Sequence, residues 1–169
     1  MYAPHRRAWV PHRHASVADF LITQGDAESA FALAEQIPEF DAGDGGLDLA
    51  ELSRRLSGRS ALVLIGSVDD EPVGFKAGYD RDADGSWYSW IGGVLPGRRS
   101  QGVAVALLEA QETWAIAAGF ERIYVKTRNG HRGMLRLLVK RGYDILQVDP
   151  RDLPSDNRLL LSKRLRTRD

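Results

Sequence analysis

Between Val94 and Ala110 an apolar run ends, Pro96-Gly97 breaks it, Arg98 and Arg99 follow, and small residues open a helical pattern. That combination binds an anion. The first turn of a helix carries N–H groups without intrahelical partners and the positive end of the helix dipole, so a phosphate sits there readily. Gly102 and Ala104 matter because larger side chains would hold a diphosphate away from those amides. Arg98 and Arg99 add charge-assisted hydrogen bonds to phosphate oxygens.

Other side chains with chemical capacity are scattered. The acids nearest that region are Asp80, at the end of a strand, and Glu39 and Asp41, just after a helix. Each also reads as a surface acid in a turn. In an alternating strand Tyr88 and Trp90 share one face, and Trp87, Ser89 and Ile91 the other. One set packs on helices and the other can wall a pocket. Lys76 and Lys126 lie inside strands and are read as snorkelling to water, with contact of one of them to an acidic acceptor or a phosphate as the alternative. His12-x-His14 has no third ligand nearby, so no metal is assigned. Neither Gly-x-x-x-x-Gly-Lys-Ser/Thr nor Gly-x-Gly-x-x-Gly occurs, which sets other nucleotide-binding loops aside.

The elements that must position these residues follow from periodicity and punctuation. Phe20 to Thr23 reads as a strand, and Asp26 caps a helix over Ala27 to Gln36 that Pro38 ends. A Gly-rich loop leads to a second helix, Leu47 to Leu56, stopped at Gly58. Ala61–Ile65, Val73–Tyr79 and Trp87–Val94 form an antiparallel meander. A long helix over Gln101 to Ala118 follows, closed by Gly119, then a strand at Ile123–Thr127 and a short helix at Gly133–Lys140. Strands at Tyr143–Val148 and Leu159–Leu161 complete the chain, before a basic tail of Lys163, Arg164, Arg166 and Arg168. The order is mixed α/β, a helical pair, a meander, then β-α-β-α-β.

With 169 residues, 43% hydrophobic and 27% charged, the chain reads as one domain over 17–169, behind a loosely ordered His/Arg-rich extension, 1–16. A formal net charge of zero does not suggest nucleic acid as a partner. No apolar run spans a bilayer and no signal peptide is evident, so a cytoplasmic protein without membrane contact is expected. There is no cysteine, hence no disulfide and no cysteine nucleophile.

The stretch from Ala61 to Ile145 resembles the core of the GNAT superfamily of acyl-CoA-dependent N-acetyltransferases. The family's Gln/Arg-x-x-Gly-x-Gly/Ala stands here as Arg99-Ser100-Gln101-Gly102-Val103-Ala104, after Val94 and Pro96, and its later Gly-Phe/Tyr as Gly142-Tyr143. The resemblance implies a V-shaped, mostly antiparallel central sheet of six to seven strands flanked by about four helices. It implies acetyl-CoA as co-substrate, with the pyrophosphate on Arg99 to Ala104 and the pantetheine arm alongside Val94 and Leu95. The acceptor it implies is a small-molecule or peptide amine, on a monomer or homodimer. The exposed C-terminal strand is a candidate for pairing between copies.

Two positions depart from the family. The slot for a cofactor-contacting asparagine holds His131, with Asn129 two residues earlier as a replacement. The slot for a tyrosine that protonates the departing thiolate holds Leu138. A thiol with a pKa of about 8.5 leaves without much help, whereas an alkyl ammonium near ~10.4 needs a base or a desolvating cleft. The Val94 amide, or another at the strand splay, is the candidate to polarise the carbonyl. The strand Trp87–Val94 lacks the carboxylate many relatives carry there, so Glu39 is the candidate base and Tyr88 the candidate acid. The alternative is a module that binds acyl-CoA without turnover.

Overall fold

The computed structural model describes residues 20–41, 47–57 and 60–165. The N-terminal extension with His12-x-His14, the Gly-rich loop 42–46, Gly58 and the tail from 166 onward lie outside the described residues. The strands are β1 (Phe20–Gln24), β2 (Ala61–Val68), β3 (Glu71–Tyr79), β4 (Ser86–Val94), β5 (Arg122–Arg128), β6 (Asp144–Asp149) and β7 (Arg158–Arg164). The helices are α1 (Ala27–Ala34), α2 (Leu49–Leu56), α3 (Val103–Ala117) and α4 (Arg132–Lys140). Short 3-10 turns at Pro38–Phe40, Pro96–Arg98 and Pro154–Asp156 each start on a proline, whose fixed φ favours the first helical position.

The strands make one sheet in the order β1-β2-β3-β4-β5-β7-β6. Every pairing is antiparallel except β4 with β5, which is parallel and bridged by α3. Leu33 of α1, Ile37 just beyond it and Leu52 of α2 are buried with Ile65, Phe75 and Ala77 on one face. Helix α3 and Leu138 of α4 pack on the other, against Leu62, Leu64, Trp87 and Ile123. Among the described residues no helix is long and apolar enough to cross a membrane, and no three metal-ligating side chains gather.

One irregularity decides where a cleft opens. Ala77 pairs with Ile91 but Tyr79 with Tyr88, so a two-residue step on β3 faces a three-residue step on β4. The extra residue is a bulge at Ser89-Trp90, and a bulge bends its strand. Pairing of β4 with β5 runs from Ser86–Arg122 to Ser89–Val125 and stops there. Beyond that point β4 stays with β3 and β5 stays with β7, so the two strands splay as a V.

The bulge also corrects strict alternation. Ile91 packs with Trp90 on the α1/α2 face, while Trp87 packs on the α3 face. A second correction concerns the edge. Strand β7 is inserted between β5 and β6, so β6 and not the C-terminal strand is exposed there. Lys163 and Arg164 belong to β7 rather than to a tail, and Lys163 is ion-paired to Glu112 at 2.7 Å.

Candidate active site

A cleft of about 980 Å³ occupies the V. Its walls are the second half of β4, the first turns of α3, the end of β5 and the turn entering α4. Helix α3 starts two residues later than periodicity indicates, for a local reason. Ser100 and Gly102 have left-handed backbone, φ 61° and 91°, so Gly102 is the N-cap and Gln101 precedes the helix, exposed and outside the cleft lining.

No side chain caps α3, and its first helical bond runs from the Ala106 amide to the Gly102 carbonyl at 3.0 Å. The amides of Val103, Ala104 and Val105 therefore have no intrahelical acceptor, and all three residues line the cleft beside Ser100 and Gly102. Successive amides in such a turn form a concave anion cradle, at the positive end of a 15-residue helix. A diphosphate fits this cradle. At 102 glycine suits both the backbone and the space, because a Cβ there would come within 3.3 Å of the Phe20 ring.

The other wall offers free backbone groups. The Leu95 amide donates to the Val73 carbonyl at 2.8 Å, which makes Gly74 and Val94 a non-hydrogen-bonded pair. The amide and carbonyl of Val94 then point toward β5, across the gap. Arg99 Nε donates to the Val94 carbonyl at 3.1 Å, and the amide faces the wedge without a ladder partner. An extended, amide-bearing chain can lie along this edge as an added strand. Leu95 is not part of that edge, because its amide is spent on β3 and its side chain packs beneath α1.

Arg99 and Glu39, sixty residues apart, meet at the mouth of the cleft. Arg99 Nη2 donates to Glu39 Oε2 at 2.8 Å and its Nη1 lies 2.7 Å from Oε1. These bonds hold the Glu39 carboxyl below the usual carboxylate range. A carboxylate gripped at both oxygens is a weak base, so the geometry changes Glu39 from a proton acceptor into the group that orients Arg99. His131 lines the cleft as the N-cap of α4. Asn129 does not: its Nδ2 donates to the Pro154 carbonyl at 3.0 Å and its Oδ1 accepts from Arg132 at 3.2 Å. It holds the 3-10 turn instead of replacing the missing asparagine.

Tyr88 lies at the apex of the V on the α1/α2 face. Its ring stacks on Tyr124 at 4.8 Å, meets the edge of Tyr79 at 5.6 Å and sits 5.3 Å beneath the Arg81 guanidinium. Burial pushes its phenol pKa up, so the hydroxyl stays protonated. Trp90 continues this wall under Arg55, 4.9 Å from the ring centre.

Sequence reading missed what lies on the opposite face of the apex. Lys126 is exposed as expected, but Lys76 does not snorkel and is only 7% exposed. Ser89, 1% exposed, has no partner for its hydroxyl among the described residues. The available signal was a lysine flanked by Phe75 and Ala77 in an otherwise apolar strand. Burial pushes the Lys76 ammonium down from 10.5 to about 8, against the opposing pull of Glu112.

Because the folded pKa is below the unfolded one, this charge costs stability below pH 8, and the cost fades as pH rises from about 8 to 10.5. At ~1.4 kcal/mol per unit the penalty is about 3 kcal/mol. Lys76→Met is therefore expected to stabilise the fold by about 1–3 kcal/mol at pH 7 and by little at pH 10.5. Urea unfolding at the two pH values measures the difference. Equal gains at both would mean the ammonium is solvated through the cleft.

A family profile described as Acetyltransferase (GNAT) family matches residues 27–143. The chain is 30% identical over 116 residues to the acetyltransferase SG1711 of Sodalis glossinidius, covering 68% of this chain and 73% of that protein. Among solved structures it is similar to the ribosomal-protein-S18-alanine N-acetyltransferase of Escherichia coli, with a TM-score of 0.72 at 12% identity over 87% of this chain and 94% of that one. It is also similar to yncA of Salmonella typhimurium, solved with its cofactor acetyl-CoA, with a TM-score of 0.68 at 16% identity over 88% and 95% of the two chains.

Proposed function

This chain belongs to the GNAT acetyltransferase family, and from that premise we propose that it transfers an acetyl group from acetyl-CoA to a primary amine of a small molecule or peptide, by direct attack on the thioester. The observation that carries the reading is the uncapped N-terminus of α3 facing a wedge between β4 and β5. The acetyl-CoA that binds relatives supplies the thioester carbonyl and a thiolate leaving group. The amides of Gly102 to Val105, with Arg99 and His131, hold its phosphates. The Val94 amide donates to its pantetheine arm or to the thioester carbonyl.

The amine approaches over the α1/α2 face, along Tyr88, Trp90 and Tyr124. Tyr88, protonated and lining the cleft, donates a hydrogen bond there and orients the reacting groups. Tyr88→Phe is expected to lower the transfer rate by about 10- to 100-fold with acetyl-CoA affinity retained. Glu39→Gln is expected to change turnover by less than about tenfold, because a general base is worth a hundredfold or more. Steady-state thiol release reads both, and a larger loss for Glu39→Gln would return the base role to it.

The acceptor side is basic. Lys126, Arg128 and Arg158 line the cleft without ion-pair partners among the described residues, and Arg128 lies directly opposite Arg158. Like charges so placed repel, and an anion relieves them. Glu39 is the one carboxylate lining the cleft among the described residues, and Arg99 neutralises it. An amine bearing a carboxylate or phosphate is thus expected to outperform a polyamine by about tenfold or more in kcat/KM, the worth of a charge-assisted hydrogen bond.

The test is calorimetric titration with acetyl-CoA, then thiol release over a panel of acidic, neutral and polycationic amines. Absence of binding at millimolar acetyl-CoA rejects the proposal. A second reading, an acyl-CoA-binding module without turnover, is favoured by Leu138, which is fully buried in the α3/α4 core where relatives place a catalytic tyrosine. Tight binding with no turnover across the panel would select it.

A further inference from the structure

We propose that Lys76, assisted by Ser89, is the proton donor to the departing sulfur, doing from β3 the work of the tyrosine that Leu138 replaces. The inference rests on the acetyl-transfer reading above and adds a catalytic residue to it.

Backbone pairing sets both residues along the lining of one cleft. Lys76 faces Gly92 in a non-hydrogen-bonded pair of β3 and β4. A side chain at 92 would crowd the lysine stem, since a Cβ there would lie 3.3 Å from Lys76 Cγ. With glycine in that position the stem passes across β4, and the residue lines the cleft. Ser89 is the last residue of β4 paired with β5, so its hydroxyl sits where the V begins. The Ser89 hydroxyl has no hydrogen-bond partner among the described residues, and Lys76, 7% exposed, feels the Glu112 carboxylate but makes no direct ion pair with it. A buried hydroxyl without a partner and a largely buried ammonium without a direct counterion, lining one cleft, are costly unless water or a ligand group in the cleft satisfies them.

The surroundings keep the ammonium labile. Glu112 of α3 is the charge that supports it, but that carboxylate is already held by Lys163 of β7 at 2.7 Å and by the Tyr143 hydroxyl at 2.9 Å. Otherwise α3 carries Gln111, buried and unpartnered among the described residues, and β5 lines the cleft with Val125 and Thr127. The result is an ammonium near pH 8, matched to a thiol of about 8.5. Matching donor and acceptor is what efficient proton transfer requires.

In the step, the acceptor nitrogen bonds to the acetyl carbon, the carbon–sulfur bond breaks and its electron pair goes to sulfur. Lys76 gives sulfur one proton, leaving a free thiol and a neutral amine. The nitrogen of the new amide gives up one proton to water, and water returns one to Lys76. The count balances without a further reactant.

The experiment compares wild type, Lys76→Met and Lys76→Arg in thiol release across pH, and in the titration of the bound CoA thiol followed by its ultraviolet thiolate absorbance. Wild type is expected to lose activity above about pH 8, as the lysine deprotonates. Lys76→Met is expected to fold, to lose about 100-fold in kcat, and to lack that alkaline limb. The bound thiol should titrate lower in wild type than in Lys76→Met, and Lys76→Arg should recover part of the rate and keep the low thiol titration without the limb. A Lys76→Met enzyme with wild-type kcat and pH profile overturns the proposal, as does lost activity with an unchanged thiol titration. If wild type binds no CoA at all, the acetyl-transfer reading fails first and this assignment goes with it.

Discussion

Gly102→Glu is expected to abolish measurable acetyl-CoA binding, a loss of more than about 100-fold, while the protein remains folded. Three effects add. Position 102 has φ 91°, which costs a residue with a Cβ about 1–2 kcal/mol. The new Cβ would come within 3.3 Å of the Phe20 ring, so that ring must shift. The added carboxylate would stand where the helix dipole and open amides favour the ligand's negative charge, replacing attraction with repulsion at short range. Gly102→Ala separates these terms, because it carries only the first two. It is expected to lower stability by about 1–2 kcal/mol or slightly more and weaken binding by no more than about tenfold. Calorimetry on both variants makes the comparison, and normal binding by Gly102→Glu would place the phosphates elsewhere.

The second large effect is on stability. Trp87→Ala is expected to cost about 3–5 kcal/mol, a large share of the ~5–15 kcal/mol that holds a domain together. Trp87 is fully buried and packs on Trp114 at 4.7 Å and Phe120 at 5.1 Å. It also stands opposite Ile123 in the short paired portion of β4 and β5, so it fastens α3 to the apex of the V. Its indole N–H has no partner among the described residues, so its contribution there is packing and not a hydrogen bond. Trp87→Phe, which removes that orphan donor but retains an aromatic ring, is expected to cost less than half as much. Thermal and urea unfolding test the pair. A loss below about 1 kcal/mol for Trp87→Ala would mean the apex is held by backbone pairing alone.

Much of the cleft was legible because its signals are local. A strand, a proline–glycine break, paired arginines and a small-residue helix start all fall between Val94 and Ala110, and each has one physical meaning. Less legible features depend on distance or on backbone detail. The helix start was placed two residues early because left-handed backbone at Ser100, a non-glycine, leaves no mark in hydrophobic periodicity. The bulge at Ser89-Trp90 is likewise invisible to a period-two reading, yet it moves Ile91 to the other face and opens the wedge.

Roles assigned by type alone fared worse. Glu39 was placed near the cleft correctly, but only folding brings Arg99 to its carboxylate and removes its basicity. Asn129 has the right chemistry two residues from the right slot, and its amide is consumed by the turn at Pro154. Lys76 was read as a surface lysine because snorkelling is the usual outcome. That outcome fails here because β3 is the third strand of a seven-stranded sheet, covered on both faces.

An amide-resolved NMR titration of the wild-type protein with acetyl-CoA interrogates the α3 cradle most directly. The expected result is that Gly102, Val103, Ala104 and Val105 shift most, together with Val94 on the opposite wall, and that ADP reproduces the α3 shifts without the one at Val94. Shifts confined to other elements, or none at saturating ligand, would contradict the assignment of this helix start as the phosphate site.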